Sequence, residues 1–515
     1  MRRWIFGLSA VVTTTALVMA CSVGTDCDFG LCAGPTAGVD GGGSEGGADS
    51  EGGVKPPDGC DATKEPKDSP KCVSSDFGIF VSPNGTAGGT GKMDSPVNTI
   101  AAGLAKTGAI RRIYICDGTY PEHVVLKSAV SLYGGFKCDT WAHDDAIKPV
   151  VGKTTESGYG LDVQSVNGAF DIFDLQFGAG NGDDAFPNSI AARFVSTSGA
   201  VLRRVKLAAR DGFLGKNGIL GIAGSTVNHT DLAGAPNYDP TGNAGASTTS
   251  GAPRGCRCPN ATAPDDQTIG GGGSLTAASP ASPGTPTLPA SAGDDGAAGA
   301  LNATNCGLGG GTGHNGALRA QAAGGVVATR LGTLTDGTWK PEPGANGATA
   351  LPGQGGGGGS GQSTGAGSGG ACGGCGGFGG KTGTGGGATI ALLTVDSPIH
   401  ISGELRAGHG GRGGDGGGGG DGGPGGTGGV HVVGGGNGCP GGDGGKGGTA
   451  GAGSGGAGGL SVGILTSGAG PITDGATFAL GAFGDGGTGL SNNSGPPGIK
   501  ANSASVENVS TKTTM

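Results

Sequence analysis

The chain has 515 residues, of which 126 are glycine and 28 proline; together they make up about 30%, the range in which composition favours low complexity over an ordinary packed core. Aromatic residues are only 4%, so the apolar side chains suffice for one thin, repetitive core, and a single elongated domain is expected where length alone would allow more. The formal charge of −9 and the absence of any Lys/Arg block argue against a nucleic-acid partner.

Residues 1–20 read as a lipoprotein signal peptide, with Arg2 and Arg3, an apolar run from Trp4 to Met19, then Ala20 before Cys21. Leu17-Val18-Met19-Ala20-Cys21 resembles a bacterial lipobox. The resemblance implies cleavage after Ala20, a diacylglycerol on Cys21 and a membrane partner reached through that lipid. Ser22 in place of Asp after the cysteine implies the outer membrane or cell surface. An ordinary signal peptide cut nearby is the alternative. A spanning helix is disfavoured, because the apolar run is short and broken by Ser9 and Thr13 to Thr15.

Residues 21–75 follow as an acidic, flexible tether of Gly, Ser, Asp, Glu and Pro, which has nothing to bury. Apart from Cys21, the cysteines are even in number, as a disulfide set in an exported chain should be. They group as Cys27 with Cys32, Cys60 with Cys72 and Cys116 with Cys138, and then as two sets, Cys256, Cys258 and Cys306, and Cys372, Cys375 and Cys439. Cys372-Gly-Gly-Cys375 offers half of a thiolate zinc site or a redox pair, but no second C-x-x-C completes it, so bridging is the preferred reading and no metal site or cofactor is assigned.

Residues 76–232 carry the most ordered text. A strand about Ile79 and Val81 ends at Ser82-Pro83-Asn84-Gly85. Ser95-Pro96 offers a helix cap and a first-turn proline, with Val97, Ile100 and Leu104 on one face. Strands follow at Ile113 to Cys116, Val124 to Leu126 and Val130 to Leu132. F-V-S-P-N-G-T, S-P-V-N-T-I-A-A-G-L, I-Y-I-C-D-G-T-Y and V-S-L-Y-G-G-F resemble the N-terminal signature of the pectin-lyase-like families, in particular a bacterial branch of unknown function. That resemblance implies an all-β, right-handed parallel β-helix whose short helix caps the first coil. Gly168-Ala169 with Ile172, Leu175 and Phe177 then recurs about thirty residues on as Gly199-Ala200 with Leu202, Val205 and Leu207, the period of a solenoid.

Residues 233–322 read as a low-complexity insertion stapled by cysteine. Over 323–489 further coils are expected, because β text returns at Val326 to Trp339, Ala388 to Arg406 and Leu460 to Leu480, each time followed by a glycine outgrowth. Residues 490–515 are left as a C-terminal tail. From Gly410 to Gly429 the text is nearly strict Gly-Gly-X, with X being Arg412, Asp415, Gly418, Asp421, Pro424 and Thr427. Three residues per turn is the polyproline-II period, and it sets every X on one edge while two glycine edges meet neighbouring backbone. A disordered linker is the competing reading. The calcium-roll nonapeptide fails, since Gly417 and Gly423 stand where a large apolar residue is needed.

Many pectin-lyase-like proteins cleave acidic polysaccharides, which makes the acids and bases of the coils the catalytic candidates: Asp162, Asp171, Asp174, Asp183, Asp184, Arg193, Arg203, Arg204, Lys206 and Arg210. Asp183-Asp184 lacks the accompanying segments of polygalacturonases and the W-I-D-H of pectate lyases is absent, and no catalytic residue is assigned. A sugar-binding module would need an outward aromatic row, for which Tyr114, Tyr120, Tyr133, Trp141, Tyr159 and Trp339 are available. The glycine-rich half is similar in composition to the PE-PGRS proteins, without their helical N-terminal domain. The expected function is noncatalytic, a structural or adhesive surface lipoprotein with a surface polysaccharide or matrix as partner; a polysaccharide lyase or hydrolase, or a polysaccharide-binding module, is the alternative.

Overall fold

Runs of β-branched and aromatic residues punctuated by Gly, Asn and Asp form short strands that pair in parallel. The computed structural model describes residues 54–226, 232–234, 250–258, 267–290, 294–307, 310–362, 365–430 and 438–510. The chain divides into two units, residues 1–48 and 49–515, and every described residue belongs to the second. Cys21, Cys27 and Cys32 lie outside the described residues.

Two parallel sheets carry the structure. The first is nearly closed and holds 11 strands, among them Ile79–Thr86, Arg112–Cys116, Ser131–Phe136, Phe170–Phe173, Ala200–Ala208 and His400–Ala407. The second is ordered in space as Val124–Leu126, Gly158–Gln164, Ser189–Val195, Thr389–Val395, Ser461–Ser467 and Lys500–Ser505. The chain visits the sheets in turn, so equivalent residues stack. Leu132, Ile172, Leu202 and Ile401 are in register in the first sheet, and Leu161, Ala192, Leu392 and Ile464 in the second. All eight are buried in one core. The thirty-residue recurrence is thus one circuit of the chain, and the stacked rows let few apolar residues make a continuous core.

The short helix Ile100–Ala105 is capped by Thr99, whose side chain accepts from the Ala102 N–H. The expected cap at Ser95-Pro96 lies one short segment too early, because Val97 is still extended and bridges to Val81. The Glu122 carboxylate also accepts from the N–H groups of Ile100 and Ala101, at 2.6 and 2.9 Å, placing negative charge where the helix dipole favours it. The helix contacts Ile79–Thr86, Arg112–Cys116 and Val124–Leu126 and so covers the first edge of both sheets.

Three expectations change. From residue 54 the supposed tether is part of the body: Cys60 is bonded to Cys72, the Tyr114 hydroxyl donates to the Cys72 carbonyl at 2.7 Å, and Arg112 donates to the Ala62 carbonyl at 2.9 Å. The β text at 326–339 makes an antiparallel hairpin, Gly332–Thr335 with Thr338–Pro341, whose Trp339 is buried on the outside of the second sheet against Ile190 and Leu393. The tail from 490 is also ordered. Lys500–Ser505 extends the second sheet, and Val506–Ser510 is a terminal helix that buries Val506 and Val509. In each case the segment is held by residues distant in the sequence, Tyr114 and Arg112, Ile190 and Leu393, and Ser461–Ser467, which local composition cannot register.

Candidate functional site: a hydrogen-bonded glycine bundle

Between the later strands the glycine tracts leave the sheets and return, and they are ordered. Segment 408–429 runs out from His400–Ala407 and 438–459 runs back to Ser461–Ser467; 481–489 and 493–498 do the same one circuit later. Gly374, Gly377, Gly380, Gly383 and Gly386 donate their N–H groups to the carbonyls of Gly445, Gly448, Gly451, Ser454 and Ala457 at 2.8–3.1 Å. Gly411, Gly414, Gly417 and Gly420 donate to Gly387, Thr384, Lys381 and Phe378. A partner recurring every third residue is the turn of a polyproline-II-type helix, whose backbone has no internal hydrogen bonds and so is free to bond sideways.

The partner pattern sorts the segments into three layers. Segments 210–226, 408–429 and 481–489 form one, 366–387, 438–459 and 493–498 the middle, and 267–287, 342–362 and 310–325 the third. Segment 438–459 is hydrogen-bonded to neighbours in all three. Side chains are excluded from these contacts: a Cβ on Gly377 would sit on the Gly420 carbonyl oxygen, and one on Gly444 on that of Cys372. Backbone pairing thus replaces apolar packing, consistent with the scarcity of large side chains.

Disulfides tie the low-complexity region 233–322 into this bundle. Cys256 is bonded to Cys372, Cys258 to Cys375 and Cys306 to Cys439, so the Cys372-Gly-Gly-Cys375 pair is used for bridges. Cys116 is bonded to Cys138 within the first sheet's region. Five disulfides among the described residues point to an oxidising, extracytoplasmic environment.

The X residues of the Gly-Gly-X tract stand on the edge away from the middle layer. Arg412 and Asp415 pair at 2.6 Å, and the Thr488 N–H and hydroxyl both donate to Asp415. The Arg412 guanidinium, with Thr488, pulls the Asp415 carboxyl down to about 2. Beside them, segment 210–226 repeats Gly every third residue from Gly212 to Gly224 and turns Leu214, Ile219, Leu220 and Ile222 outward, 56–76% exposed.

The candidate catalytic acids and bases fall into separate places. Arg193 and Asp162 form a two-pronged pair at 2.9 and 2.7 Å, covered by the 332–341 hairpin through Thr338. Asp174 and Arg204 occupy equivalent bends on successive circuits, both with positive φ, which aims them at each other at 2.8 Å. His143 and Lys148 approach the same carboxylate at 3.2 and 3.5 Å, while Glu65 takes Arg203 and the other side of Arg204. Burial alone would raise the Asp174 carboxyl, but hydrogen bonds from His143 and Arg204 outweigh it and hold it well below the usual carboxylate range. Asp171 moves the other way: burial raises it, against a hydrogen bond from Tyr133. Asp183 accepts from the N–H groups of Ala185 and Phe186 in an exposed turn, Asp184 pairs with Lys216, Lys206 with Glu404, and Arg210 is exposed.

Sequence reasoning missed Glu65, His143 and Lys148, which no motif marks and which sit 26 to 139 residues from their partners. An open groove of about 530 Å³ adjoins this cluster, lined by Asp117, Lys148, Gln176, Arg204, Lys206 and Glu404. The aromatic row does not face outward. Tyr114, Tyr120, Tyr133, Trp141 and Trp339 are buried, and Tyr159 is half-buried beneath Thr338 and Arg193. Among the described residues no group of three or more His, Cys, Asp or Glu is arranged to hold a metal ion.

The fold and site together define an all-β, disulfide-bonded protein of parallel strands bearing a glycine bundle. No family model, no curated protein and no solved structure matches the chain.

Proposed function

We propose that this chain is a noncatalytic cell-surface lipoprotein, structural or adhesive in role. It would be anchored to the outer membrane through Cys21, with the parallel strands forming a right-handed, pectin-lyase-like β-helix as scaffold. One observation carries the reading: the glycine bundle bonds its backbone internally and turns its side chains outward, as at Arg412, Asp415, Leu214 and Leu220, which is the property of a rigid presenting surface. The buried state of the aromatic residues and the mutual pairing of the coil acids and bases support it. A surface polysaccharide or matrix is the partner such a surface would meet.

The test is cellular. Full-length protein should incorporate labelled fatty acid and lend cells binding to a polysaccharide matrix, and Cys21→Ser should abolish both labelling and cell-borne adhesion. Labelling without any change in surface properties would count against an adhesive role.

A second reading rests on the open groove beside Asp174 and Arg204, where Lys148 and Lys206 could meet an acidic polymer. A polysaccharide lyase acting there would leave unsaturated sugar ends that absorb in the ultraviolet. Such absorbance with any uronate polymer, lost in Lys206→Ala, would replace the first reading.

A further inference from the structure

The glycine bundle stops short on one side. Segments 408–429 and 438–459 are long, but the hairpin of 481–489 and 493–498 that lies on them covers only the half nearer the sheets. Where the hairpin lies, Gly410, Gly413 and Gly416 donate to the carbonyls of Ala482, Asp485 and Thr488, and Gly455 and Gly458 to those of Asn493 and Pro496. Continuing by threes past the hairpin tip, the N–H groups of Gly419, Gly422 and Gly425, and those of Thr449 and Ala452, have no partner among the described residues. Gly422 is nonetheless buried, and a buried amide without a partner is uncommon. Of these donors Gly419, Thr449 and Ala452 line a groove of about 400 Å³, floored by Gly419 and Thr449 to Ala452, walled by Gln321 and Gly324, and closed at one end by Leu490 and Asn493, and Gly422 and Gly425 continue the three-residue row beyond it.

We propose that this groove is a vacant position in the glycine lattice that receives a glycine-rich segment of another polypeptide in the polyproline-II form. The hairpin already present shows what such an occupant must be. It offers a carbonyl every third residue, about 9 Å apart, which matches the spacing of the free donors. It must also carry glycine on its packing edge, because a Cβ on Gly484 or Gly487 of the hairpin would meet the Gly411 or Gly414 carbonyl oxygen. The new segment would continue an interface the protein has already built, one that accepts backbone and excludes side chains. The assignment does not depend on anchoring, location or adhesion.

The test uses the full chain and peptides of about five Gly-Gly-Thr repeats, with Ala-Ala-Thr repeats and polyproline as controls that offer carbonyls without the glycine edge. Amide exchange is followed by mass spectrometry alongside calorimetric titration. The Gly-Gly-Thr peptide should bind and slow exchange over 419–425 and 449–452, while both controls leave them unchanged. Ala452→Trp, which fills the groove, should weaken binding by about tenfold or more; Gln321→Trp, at an exposed wall position, serves the same end if the first variant does not fold. No binding, equal binding by polyproline, protection elsewhere only, or binding of a soluble polysaccharide in place of the peptide would each overturn the proposal.

Discussion

At Gly377 a single methyl group decides whether two segments of chain can touch, because its Cβ would clash with the Gly420 carbonyl oxygen. Gly377→Val should therefore destabilise the bundle by about 1–3 kcal/mol, the usual cost of overpacking. Gly418→Ala, on the outward edge, should be close to neutral, since its Cβ meets only the ends of Leu220 and Leu490. Denaturant melts of the two variants give the comparison, and equal losses would contradict a backbone-packed lattice. Asp174 makes a different kind of prediction. The residue is 2% exposed and its carboxylate is bonded to Arg204 and His143, and Asp174→Asn should cost about 1.5–3 kcal/mol at pH 7. Because the folded carboxyl titrates below its unfolded value of about 3.9, that contribution is whole above pH 4 and falls away as the pH drops through the folded value. The stability gap between wild type and variant should narrow in acid; a gap that widens would refute the assignment. At this scale the outward positions Arg412, Asp415 and Asp421 were legible from the three-residue period alone. The carbonyl each glycine would strike was not, because Gly377 and Gly420 belong to segments whose pairing no local pattern encodes.

Among the elements, the disulfides and the bundle are linked. The bridges Cys256–Cys372, Cys258–Cys375 and Cys306–Cys439 span 116, 117 and 133 residues, and closing loops of that size restricts the unfolded chain strongly. Replacing both Cys256 and Cys372 by Ser should cost about 2–5 kcal/mol. Hydrogen exchange should quicken across 366–387 while the Thr389–Val395 and Ser461–Ser467 strands keep their protection. Uniform loss of protection would mean that the bundle and the sheets unfold as one. The strands themselves were readable, since Ile172 and Leu202 recur with the circuit of the chain. The hairpin Gly332–Thr335 with Thr338–Pro341 was misread as another circuit, because its apolar text is the same and only its position outside the second sheet distinguishes it. The 54–75 segment escaped for the opposite reason: its own side chains are polar, and what holds it is Tyr114, Arg112 and Arg204 in the sheets.

For the whole molecule, two kinds of cohesion share one chain. The sheets enclose apolar side chains in register, whereas the bundle is held by backbone hydrogen bonds and three disulfides. Unfolding the first exposes apolar surface and raises heat capacity; unfolding the second exposes peptide groups, which lowers it. Calorimetry should accordingly give a heat-capacity change per residue below the about 12–15 cal/mol/K of ordinary domains. An ordinary value would mean that the glycine segments bury more apolar surface than their packing implies. Both the all-β class and the glycine outgrowths on successive circuits could be read from the sequence, but the order of those outgrowths could not. Composition alone favours a flexible linker, and only the register of N–H groups against distant carbonyls distinguishes a lattice from one.

The outward edge of segment 408–429 has a further consequence. Its side chains at Asp421 and Thr427 are exposed and stand clear of the glycine contacts that hold the segment in place. Those positions are therefore free to drift under selection without threatening the fold, so a lineage carrying this bundle could change what its surface displays while inheriting the same frame.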